Sequence, residues 1–551
     1  MISLRTSSLV LFFTTIALGC SSSSSSPDDT GAAGTSSTGG SGTGGSATGG
    51  KAGTGGTGTG GTATAGSAGT GTGGTAAAGM GGGTAGTAAA GAAGAAGAGT
   101  GGAGGGKAGA AGSSTGGAAG TGGGTNNNTF DTAQTIMYDD GTGTNLVATE
   151  LAPPTTDVDY YKFVGKKGDP LFIYTQCKPS TAPYDPTYPD LVMTLFNEAK
   201  TQIANDDDSP QTNDPSLYTV LPADGTYYLR IQECNNWDKG GPMNCAPAAA
   251  ITTGSYGVAV VLLDPKGATN VPEVEPNDMA ATATKVKYAA ASAGQYYTSV
   301  EYGGFSAAAD VDMYSFTLPM DVKVTEGRST GYFNWFPDGV DGSGSTTQFG
   351  EAAIYDPADM VNAVAKIPDG SVGNELSPPL TLGKPYLLVV KRGAKMGAND
   401  FYFVTHFTGG SNPLEKEKAP GANDTVATGE ATTAQDNADG SQTFFVEGDI
   451  STPADIDYYT IAVKAGLNQV AAYCAAEGSG SGLRMTKVEL FADGVAIPKG
   501  SANDTFDKNM SITALALPAG AAKVSVKLSA PAVDPTVTST FYRCGISITK
   551  K

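Results

Sequence analysis

Acidic and amide side chains in the middle of the chain have the composition of a divalent-cation site. One segment reads Glu-Val-Glu-Pro-Asn-Asp at residues 273–278, and an Asp-x-Asp pair, Asp310 and Asp312, follows it. Calcium takes about six to eight oxygen ligands and favours carboxylates and amide carbonyls. Carboxylates that are drawn together repel one another unless a cation lies between them. The alternative is that these acids are solvated charges at a turn and at the start of a strand.

A second pattern could serve nucleophilic catalysis. Residues 327–331 read Gly-Arg-Ser-Thr-Gly, and His406, the only histidine, lies downstream of Ser329, as in esterases. A nucleophile elbow needs a strand that leads into a helix, whereas residues 332–337, Tyr-Phe-Asn-Trp-Phe-Pro, do not begin a helix. We therefore predict that Ser329 lies in a loop, that His406 is an ordinary strand residue, and that the protein is not an enzyme. A serine hydrolase remains the remote alternative.

A strand pattern that occurs three times must position these residues. Its first part is an acidic entry to an alternating strand, at residues 157–163, 310–316 and 455–461. A second strand is predicted at 171–174, 322–324 and 470–473, and a third at 191–196, 353–355 and 488–491. Late strands follow at 221–231, 382–389 and 517–526, and closing strands at 256–262, 401–407 and 541–548. Repetition at this scale indicates one unit built three times.

The repeated pattern predicts an all-β protein. Short alternating strands separated by Gly, Pro and Asp turns, without a convincing amphipathic helix, are typical of antiparallel β-sandwiches. We predict three tandem jelly-roll-like sandwiches, at residues 126–266, 267–412 and 413–551.

These motifs resemble the bacterial pre-peptidase C-terminal (PPC) domain, a jelly-roll-like sandwich found on secreted proteases. The resemblance rests on the Asp-x-Asp-x-Tyr strand entries, the Asn-Asp-Asp turn at 205–207, the Leu-Pro-Ala-Asp-Gly-Thr-Tyr-Tyr segment at 221–228, and the 273–278 motif with Ala280 and Ala281. It extends over all three sandwiches and is strongest in the first and at the start of the second. No peptidase accompanies the sandwiches, so the resemblance implies a stand-alone array.

Related collagen-binding modules resemble this chain at the acidic linker and the Asp-x-Asp entry, where their acids hold calcium. The resemblance implies a calcium site in the second sandwich, made by the following residues: Glu273, Glu275, Asn277, Asp278, Asp310 and Asp312. The first sandwich has no glutamate pair in its linker. In the third, Asn423 and Asp424 stand apart in sequence from Glu415 and Glu417. Calcium is therefore expected in the second sandwich rather than in the others.

The cysteines are few for this length and suit accessory disulfides. Cys474 follows the second strand of the third sandwich and Cys544 lies on its last strand, so we predict that they pair. Cys177 occupies the position in the first sandwich that Cys474 has in the third, and it competes with Cys234 and Cys245. The pairing of these three stays open, with one of them free.

The N-terminus has the features of an export signal. Arg5 precedes an apolar run at residues 9–18, which is too short to span a membrane. Small residues before Cys20 resemble the lipobox of bacterial lipoproteins, which implies acylation of Cys20 after cleavage of a signal peptide at residues 1–20. An ordinary signal peptide with a coincidental cysteine is the alternative. Residues 21–125, almost entirely Gly, Ala, Thr and Ser, predict a disordered tether.

Composition limits the partners. The chain has 551 residues and a net charge of −20, which disfavours nucleic acid and leaves the lipid anchor as the contact with a membrane. The lipobox resemblance, with Ser rather than Asp after Cys20, implies an anchor in the outer membrane. We expect a non-catalytic, surface-exposed protein of the cell envelope that binds extracellular protein or polysaccharide. Trp237, Trp335 and Phe336 are candidate contact residues, with core or rim positions as the alternative. A structural surface scaffold without a dedicated ligand is the second hypothesis.

Overall fold

The structure is a computed structural model. It describes the following residues: 126–138, 146–177, 187–207, 214–237, 245, 248–292, 296–322, 328–336, 338–347, 349–368, 375–395, 397–409, 414–416, 421–437, 439–505 and 509–551. The predicted signal peptide, Cys20 and the predicted tether lie outside these residues.

The first group of strands, called the first module below, spans residues 134–262. Its strands are β1 (Gln134–Thr135), β2 (Val147–Glu150), β3 (Val158–Gly165), β4 (Pro170–Cys177), β5 (Leu191–Phe196), β6 (Gln202–Asp206), β7 (Ser216–Val220), β8 (Gly225–Glu233) and β9 (Ser255–Leu262). Three-residue 3-10 turns lie at Phe130–Thr132, Cys234–Asn236 and Ala248–Ala250.

The second module spans residues 270–409. Its strands are β10 (Asn270–Pro272), β11 (Thr284–Lys285), β12 (Ala289–Ser292), β13 (Tyr296–Gly303), β14 (Val311–Thr317), β15 (Arg328–Trp335), β16 (Phe349–Asp356), β17 (Asp359–Ile367), β18 (Glu375–Leu376), β19 (Pro379–Thr381), β20 (Pro385–Arg392) and β21 (Tyr402–Gly409).

The third module spans residues 430–549. Its strands are β22 (Glu430–Thr432), β23 (Gln435–Asp436), β24 (Gln442–Asp449), β25 (Ile456–Ala462), β26 (Gln469–Ala475), β27 (Leu483–Arg484), β28 (Lys487–Ala492), β29 (Val495–Asn503), β30 (Met510–Ala516), β31 (Lys523–Ser529), β32 (Ala532–Val533) and β33 (Phe541–Thr549). A 3-10 turn lies at Glu477–Ser479.

Each module contains two main sheets, and corresponding sheets of the three modules share their central strand order; the third module also has a two-stranded sheet, β27-β32. The sheet that holds the Asp-x-Asp strand, called the entry sheet, has the orders β1-β3-β8-β5-β6, β11-β14-β20-β16-β17 and β22-β25-β31-β28-β29. The sheet that holds the last strand, called the closing sheet, follows β2-β9-β4-β7, β10-β13-β21-β15-β18 and β23-β24-β33-β26-β30. The all-β fold predicted from sequence is confirmed. Neighbouring strands are mostly antiparallel, but the short first strand of each entry sheet pairs in parallel.

The two sheets of a module pack face to face because alternate residues of each strand point inward. In β3 every second side chain is buried, which places Asp159, Tyr161 and Phe163 inside. One apolar cluster joins both sheets of the first module, and each of the other modules has an equivalent cluster.

The second strand of the second module differs from the prediction. Val322 lies outside any strand, and β15 at Arg328–Trp335 takes the position that β4 and β26 have in the other modules. Ser329 therefore lies in a strand and not in a loop, contrary to expectation. The prediction failed because the short apolar run at residues 322–324 was taken for the second strand, which left Ser329 in the loop after it.

Neighbouring modules touch through different kinds of contact. Phe172 and Tyr218 of the first module pack with Val300 and Phe403 of the second in one apolar cluster. Between the second and third modules, the Ala363 N–H donates to the Thr536 carbonyl at 2.9 Å.

Candidate metal centre

Backbone pairing positions the first carboxylate of the candidate site. β10 runs parallel to β13 and ends at Pro272, and the Glu273 N–H then donates to the Tyr302 carbonyl at 2.8 Å. This directs the Glu273 carboxylate over Gly303, where a Cβ atom would lie 1.7 Å from Glu273 Oε2. A glycine is therefore needed at that position of β13. The Gly304 N–H donates to Glu273 Oε2 at 3.0 Å.

The second carboxylate comes from the inner face of the entry sheet. Asp312 lies on β14 with 0% exposure, and neither of its carboxylate oxygens has a hydrogen bond of ordinary geometry, although the nearby Tyr402 hydroxyl partly offsets the rise in its pKa that burial causes. Burial, and after it the charge of Glu273, raises the pKa of Asp312 to about 8. A buried carboxylate without partners is costly, since desolvation is not compensated.

The linker supplies the remaining groups. One carboxylate oxygen from each of Glu273, Glu275 and Asp312 lies within 4.8 Å of the others, and within the described part of the chain this is the one such group. Asn277 is 0% exposed, and neither its amide oxygen nor its amide nitrogen has a partner. Burial raises the pKa of Glu273 to about 7, with the charges of Glu275 and Asp310 adding to the shift. The arrangement matches the oxygen chemistry of calcium.

The two other predicted ligands are engaged with each other and with backbone. Asp310 Oδ2 accepts a hydrogen bond from the Ser306 N–H. Burial raises the pKa of Asp310, but the hydrogen bonds from Ser306 and one with Asp278 outweigh burial and leave it lowered. Asp310 and Asp278 thus lie beside the three-carboxylate group, and the charge of Asp310 acts on Asp312.

A tyrosine pair next to the second aspartate occurs in all three modules, and sequence reasoning missed it. The hydroxyls of Tyr161 and Tyr256, of Tyr314 and Tyr402, and of Tyr459 and Tyr542 lie 2.8, 2.8 and 2.6 Å apart. The closing-strand tyrosine donates to Asp159 in the first module and to Asp457 in the third, at 2.6 and 2.7 Å. In the second module it donates to Glu273 instead, at 3.2 Å. A tyrosine near the start of each closing strand was the available signal.

The third module brings together residues that are distant in sequence. The Asn423 amide donates to Glu415 Oε1 at 3.2 Å, so Asn423 does not stand apart from the linker acid in space. Burial, and then the charge of Glu415, raises the pKa of Asp457 to about 9. Glu417 lies outside the described residues. The first module has Asn127 and Asp159 at these positions without a linker glutamate.

The disulfide prediction is confirmed. Cys474 and Cys544 are bonded, with their Cα atoms 4.1 Å apart, and they lie directly opposite each other on β26 and β33. The question left open in the first module is settled by a bond between Cys234 and Cys245, which leaves Cys177 as a buried free thiol. Burial, and next the charge of Asp214, raises the pKa of Cys177 well above its usual value.

Ser329 and His406 do not bond to each other. The Ser329 hydroxyl pairs with that of Thr408 at 3.1 Å, and His406 Nδ1 pairs with the Tyr288 hydroxyl at 2.8 Å. Both side chains are 1% exposed, inside the second module. Gly327 lies outside the described residues.

The candidate aromatic contacts are core and rim residues. Trp335 is 3% exposed and belongs to the core of the second module. Phe336 is half-buried against Tyr218 with ring centroids 4.7 Å apart, and Trp237 is also half-buried. Trp335 is therefore not available to a surface ligand, because β15 turns it inward.

The fold and the site define a protein built of β-sandwich modules with an acidic site at a linker. Residues 157–233, from Asp157 to the end of β8, match the family model of the bacterial pre-peptidase C-terminal domain. No curated protein matches the sequence.

Two solved structures with likeness to the chain are the pre-peptidase C-terminal domain of a collagenase from Bacillus anthracis and the tandem CBM51 modules of a family 98 glycoside hydrolase from Streptococcus pneumoniae. The first is 14% identical and covers 23% of this chain and 93% of its own, with a TM-score of 0.16. The second is 12% identical and covers 46% and 84%, with a TM-score of 0.15. Both TM-scores are far below 0.5, so neither likeness supports a functional assignment. Among the described residues, no helix has the length and apolar character needed to cross a membrane.

Proposed function

We propose that this protein is a non-catalytic cell-surface lipoprotein whose β-sandwich modules bind extracellular protein or polysaccharide, and that calcium stabilises the second module. The observation that carries the calcium part is the group formed by Glu273, Glu275 and Asp312, whose oxygens lie within 4.8 Å of one another. The binding part rests on the match of residues 157–233 to a module family.

The residues present fit a calcium ion. Glu273, Glu275 and Asp312 would supply carboxylate oxygens and Asn277 its amide oxygen, because these groups are hard oxygen donors and the buried ones lack partners. Asp278 and Asp310 would add negative charge beside the ion. Glu275 is exposed, so the ion would have an open approach from solvent. Bound calcium would link the linker to β14 and would remove the repulsion among the carboxylates.

Calcium binding can be tested by calorimetric titration of the full-length protein, freed of metal with chelator. We expect saturable binding of calcium and weaker binding of magnesium, because magnesium demands a tighter octahedral site. Replacement of Glu275 by Gln should lower the affinity at least tenfold. Replacement of Glu198, an exposed acid of the first module, by Gln is the matched control and should leave the affinity unchanged. The absence of calcium binding at millimolar concentrations would refute the calcium part.

Surface display can be tested through Cys20. When the protein is expressed in a Gram-negative host with labelled palmitate, the wild-type chain should incorporate label and the Cys20→Ala variant should not. Protease added to intact cells should then remove the modules from the wild-type protein. Unlabelled wild-type protein, or modules that resist protease until the cells are lysed, would contradict the surface lipoprotein.

Ligand binding is tested by pull-down of the full-length protein on insoluble polysaccharides and on collagen fibres, with calcium and with chelator. Saturable binding to one of these supports a binding module. If the protein binds none of a broad panel of polysaccharides and collagens, the binding part is wrong and the structural scaffold, which needs no ligand, is favoured.

A further inference from the structure

The interior of the second module contains polar side chains at positions where the described residues of the other two modules are apolar. Ser299 and His406 lie directly opposite each other on β13 and β21, and Glu301 follows two residues after Ser299 on the same face. Their exposures are 1%, 1% and 0%. His406 stacks on Phe333, with ring centroids 3.8 Å apart, which places it among the core side chains.

The shared topology identifies the equivalent positions in the other modules. Taking the closing-strand tyrosine as reference, the position of Glu301 is occupied by Val147 in the first module and by Val446 in the third. The position of His406 is occupied by Val260 in the first module and by Ile546 in the third. Phe444 takes the place of Ser299 in the third module. An apolar core is therefore the ordinary solution for this fold, and the second module departs from it.

The polar groups are only partly satisfied. Ser299 donates to Glu301 Oε1 at 2.6 Å, and the Tyr288 hydroxyl pairs with His406 Nδ1 at 2.8 Å. Glu301 Oε2 and His406 Nε2 are buried without a partner. Burying an ionised carboxylate or imidazolium with so few partners is unfavourable, so the folded module favours the neutral form of both.

We propose that Ser299, Glu301, Tyr288 and His406 form a compensating polar cluster in the core of the second module, in which the buried acid and the buried base offset each other and keep the stability of this core nearly constant in mildly acidic surroundings.

The direction follows from linkage. Burial raises the pKa of Glu301 to about 7 from its usual 4.5, so its contribution to stability is complete below pH 4.5 and is lost as the pH rises through 7. Burial lowers the pKa of His406 well below 6.5, so its contribution is complete above pH 6.5 and is lost as the pH falls. Between about pH 4.5 and 6.5 the two slopes oppose each other, because folding neutralises both groups. The contributions of the two groups should therefore nearly cancel in that window, and above about pH 7 neither of them changes stability further.

The titratable groups that face Glu301 add no pH dependence of their own over this range. Tyr288, which follows β11, and Tyr314 on β14 feel its charge, and burial raises the pKa of both well above the usual tyrosine value. Both hydroxyls thus remain neutral across the range. Ser299 lies on the same strand and the same face as Glu301. On the neighbouring strand β21, His406 lies opposite Ser299 and the apolar Val404 lies opposite Glu301.

The chain contains a natural reporter for this module. Its two tryptophans are Trp237 and Trp335, and Trp335 lies in the second core with 3% exposure. In a full-length Trp237→Phe background, the fluorescence of Trp335 reports unfolding of the second module. Melting should be followed from pH 4.5 to 9 in saturating calcium, and each variant should be compared with the background protein at every pH.

Replacing Glu301 or His406 by the apolar residue that another module has at that position should reveal the pH dependence of stability that the remaining group contributes. Relative to the background protein, Glu301→Val should make the melting temperature rise with pH between 4.5 and 6.5, by about 5 °C or more, because only the contribution of His406 then changes. His406→Ile should have the opposite effect in the lower window, so that the melting temperature falls as the pH rises. Glu301→Gln, which keeps the volume of the side chain without its charge, serves if the valine variant does not fold. If the melting temperature depends on pH between 4.5 and 6.5 in the same way in the Glu301 and His406 variants as in the background protein, the proposal is wrong.

Discussion

The hydroxyl of Tyr402 donates a hydrogen bond to Glu273 over 3.2 Å, whereas the equivalent tyrosines of the other modules donate to the second aspartate of the Asp-x-Asp pair. The Tyr402 hydroxyl lies between the two carboxylates and partly offsets the rise in the pKa of Asp312 that burial causes, but neither oxygen of Asp312 has a hydrogen bond of ordinary geometry. The closing-strand tyrosine therefore hydrogen-bonds the second aspartate in the first and third modules. In the second module, carboxylates of Glu273, Glu275 and Asp312 face one another instead.

Replacement of Asp312 by Asn should abolish the stabilisation of the second module by calcium. A ligand at 100 times its dissociation constant stabilises the folded state by about 2.7 kcal/mol, so the wild-type module should gain several degrees in melting temperature. Trp335 fluorescence measures this gain. Asp159→Asn, at the equivalent position of the first module, is the control and should leave the response to calcium intact. An undiminished calcium response in Asp312→Asn would place the ion elsewhere.

Replacement of Tyr402 by Phe should destabilise the second module by about 1–3 kcal/mol in chelator, because the buried Tyr314 hydroxyl loses its partner. The calcium affinity should change less than tenfold, since the oxygen donors remain. Urea unfolding and calcium titration measure the two effects. Loss of calcium binding as large as in Asp312→Asn would mean that Tyr402 is itself a ligand.

The first module should become less stable as the pH rises from 4 to 7. Burial raises the pKa of Asp159 from 3.8 to about 6, so its contribution is complete below pH 3.8 and is lost as the pH rises through 6. A shift of this size corresponds to about 3 kcal/mol. Urea unfolding at several pH values should show this slope in the wild-type module, and Asp159→Asn should lack it. Equal slopes in both proteins would show that Asp159 has an ordinary pKa.

The buried ion pair between Arg543 and Glu447 should contribute strongly to the junction of the second and third modules. The two charges lie 2.8 Å apart with 4% exposure each, and the Thr330 hydroxyl of the second module reaches Glu447 at 3.4 Å. Glu447→Gln should cost about 3 kcal/mol, since the Arg543 charge stays buried. Asp436→Asn, which breaks the exposed pair with Lys464, should cost less than about 1 kcal/mol in the same unfolding measurement.

The two disulfides should differ in their effect on stability. The bond between Cys474 and Cys544 closes a loop of 70 residues, and that between Cys234 and Cys245 closes one of 11. Chain entropy predicts losses of about 4 and about 3 kcal/mol when each pair is replaced by alanine. Urea unfolding of the two double variants, with the wild type as reference, measures the difference. A larger loss for the Cys234 and Cys245 pair would contradict the entropic account.

Periodicity predicted the strands well where one face is buried and the other is not. The strand entries at Asp157, Asp310 and Asp455 were located correctly, because inward and outward residues alternate there. The second strand of the second module was misplaced, because the short apolar run at residues 322–324 was taken for it. Sequence distance also misled at Asn423, since its amide donates a hydrogen bond to Glu415 although eight positions separate the two residues.

By itself, the sequence determined the all-β class, the threefold strand pattern and the pairing of Cys474 with Cys544. The alternation of apolar and polar residues carries that information, because it depends on which side of each strand is buried. Its repetition along the chain gives the threefold pattern and the equivalent positions of the cysteines. Only the tertiary structure decided which acids meet, that Cys177 is free, and that Glu301 and His406 share one core. Those facts depend on the register between strands that lie far apart in the chain, and a one-residue change in register would turn each side chain to the opposite face.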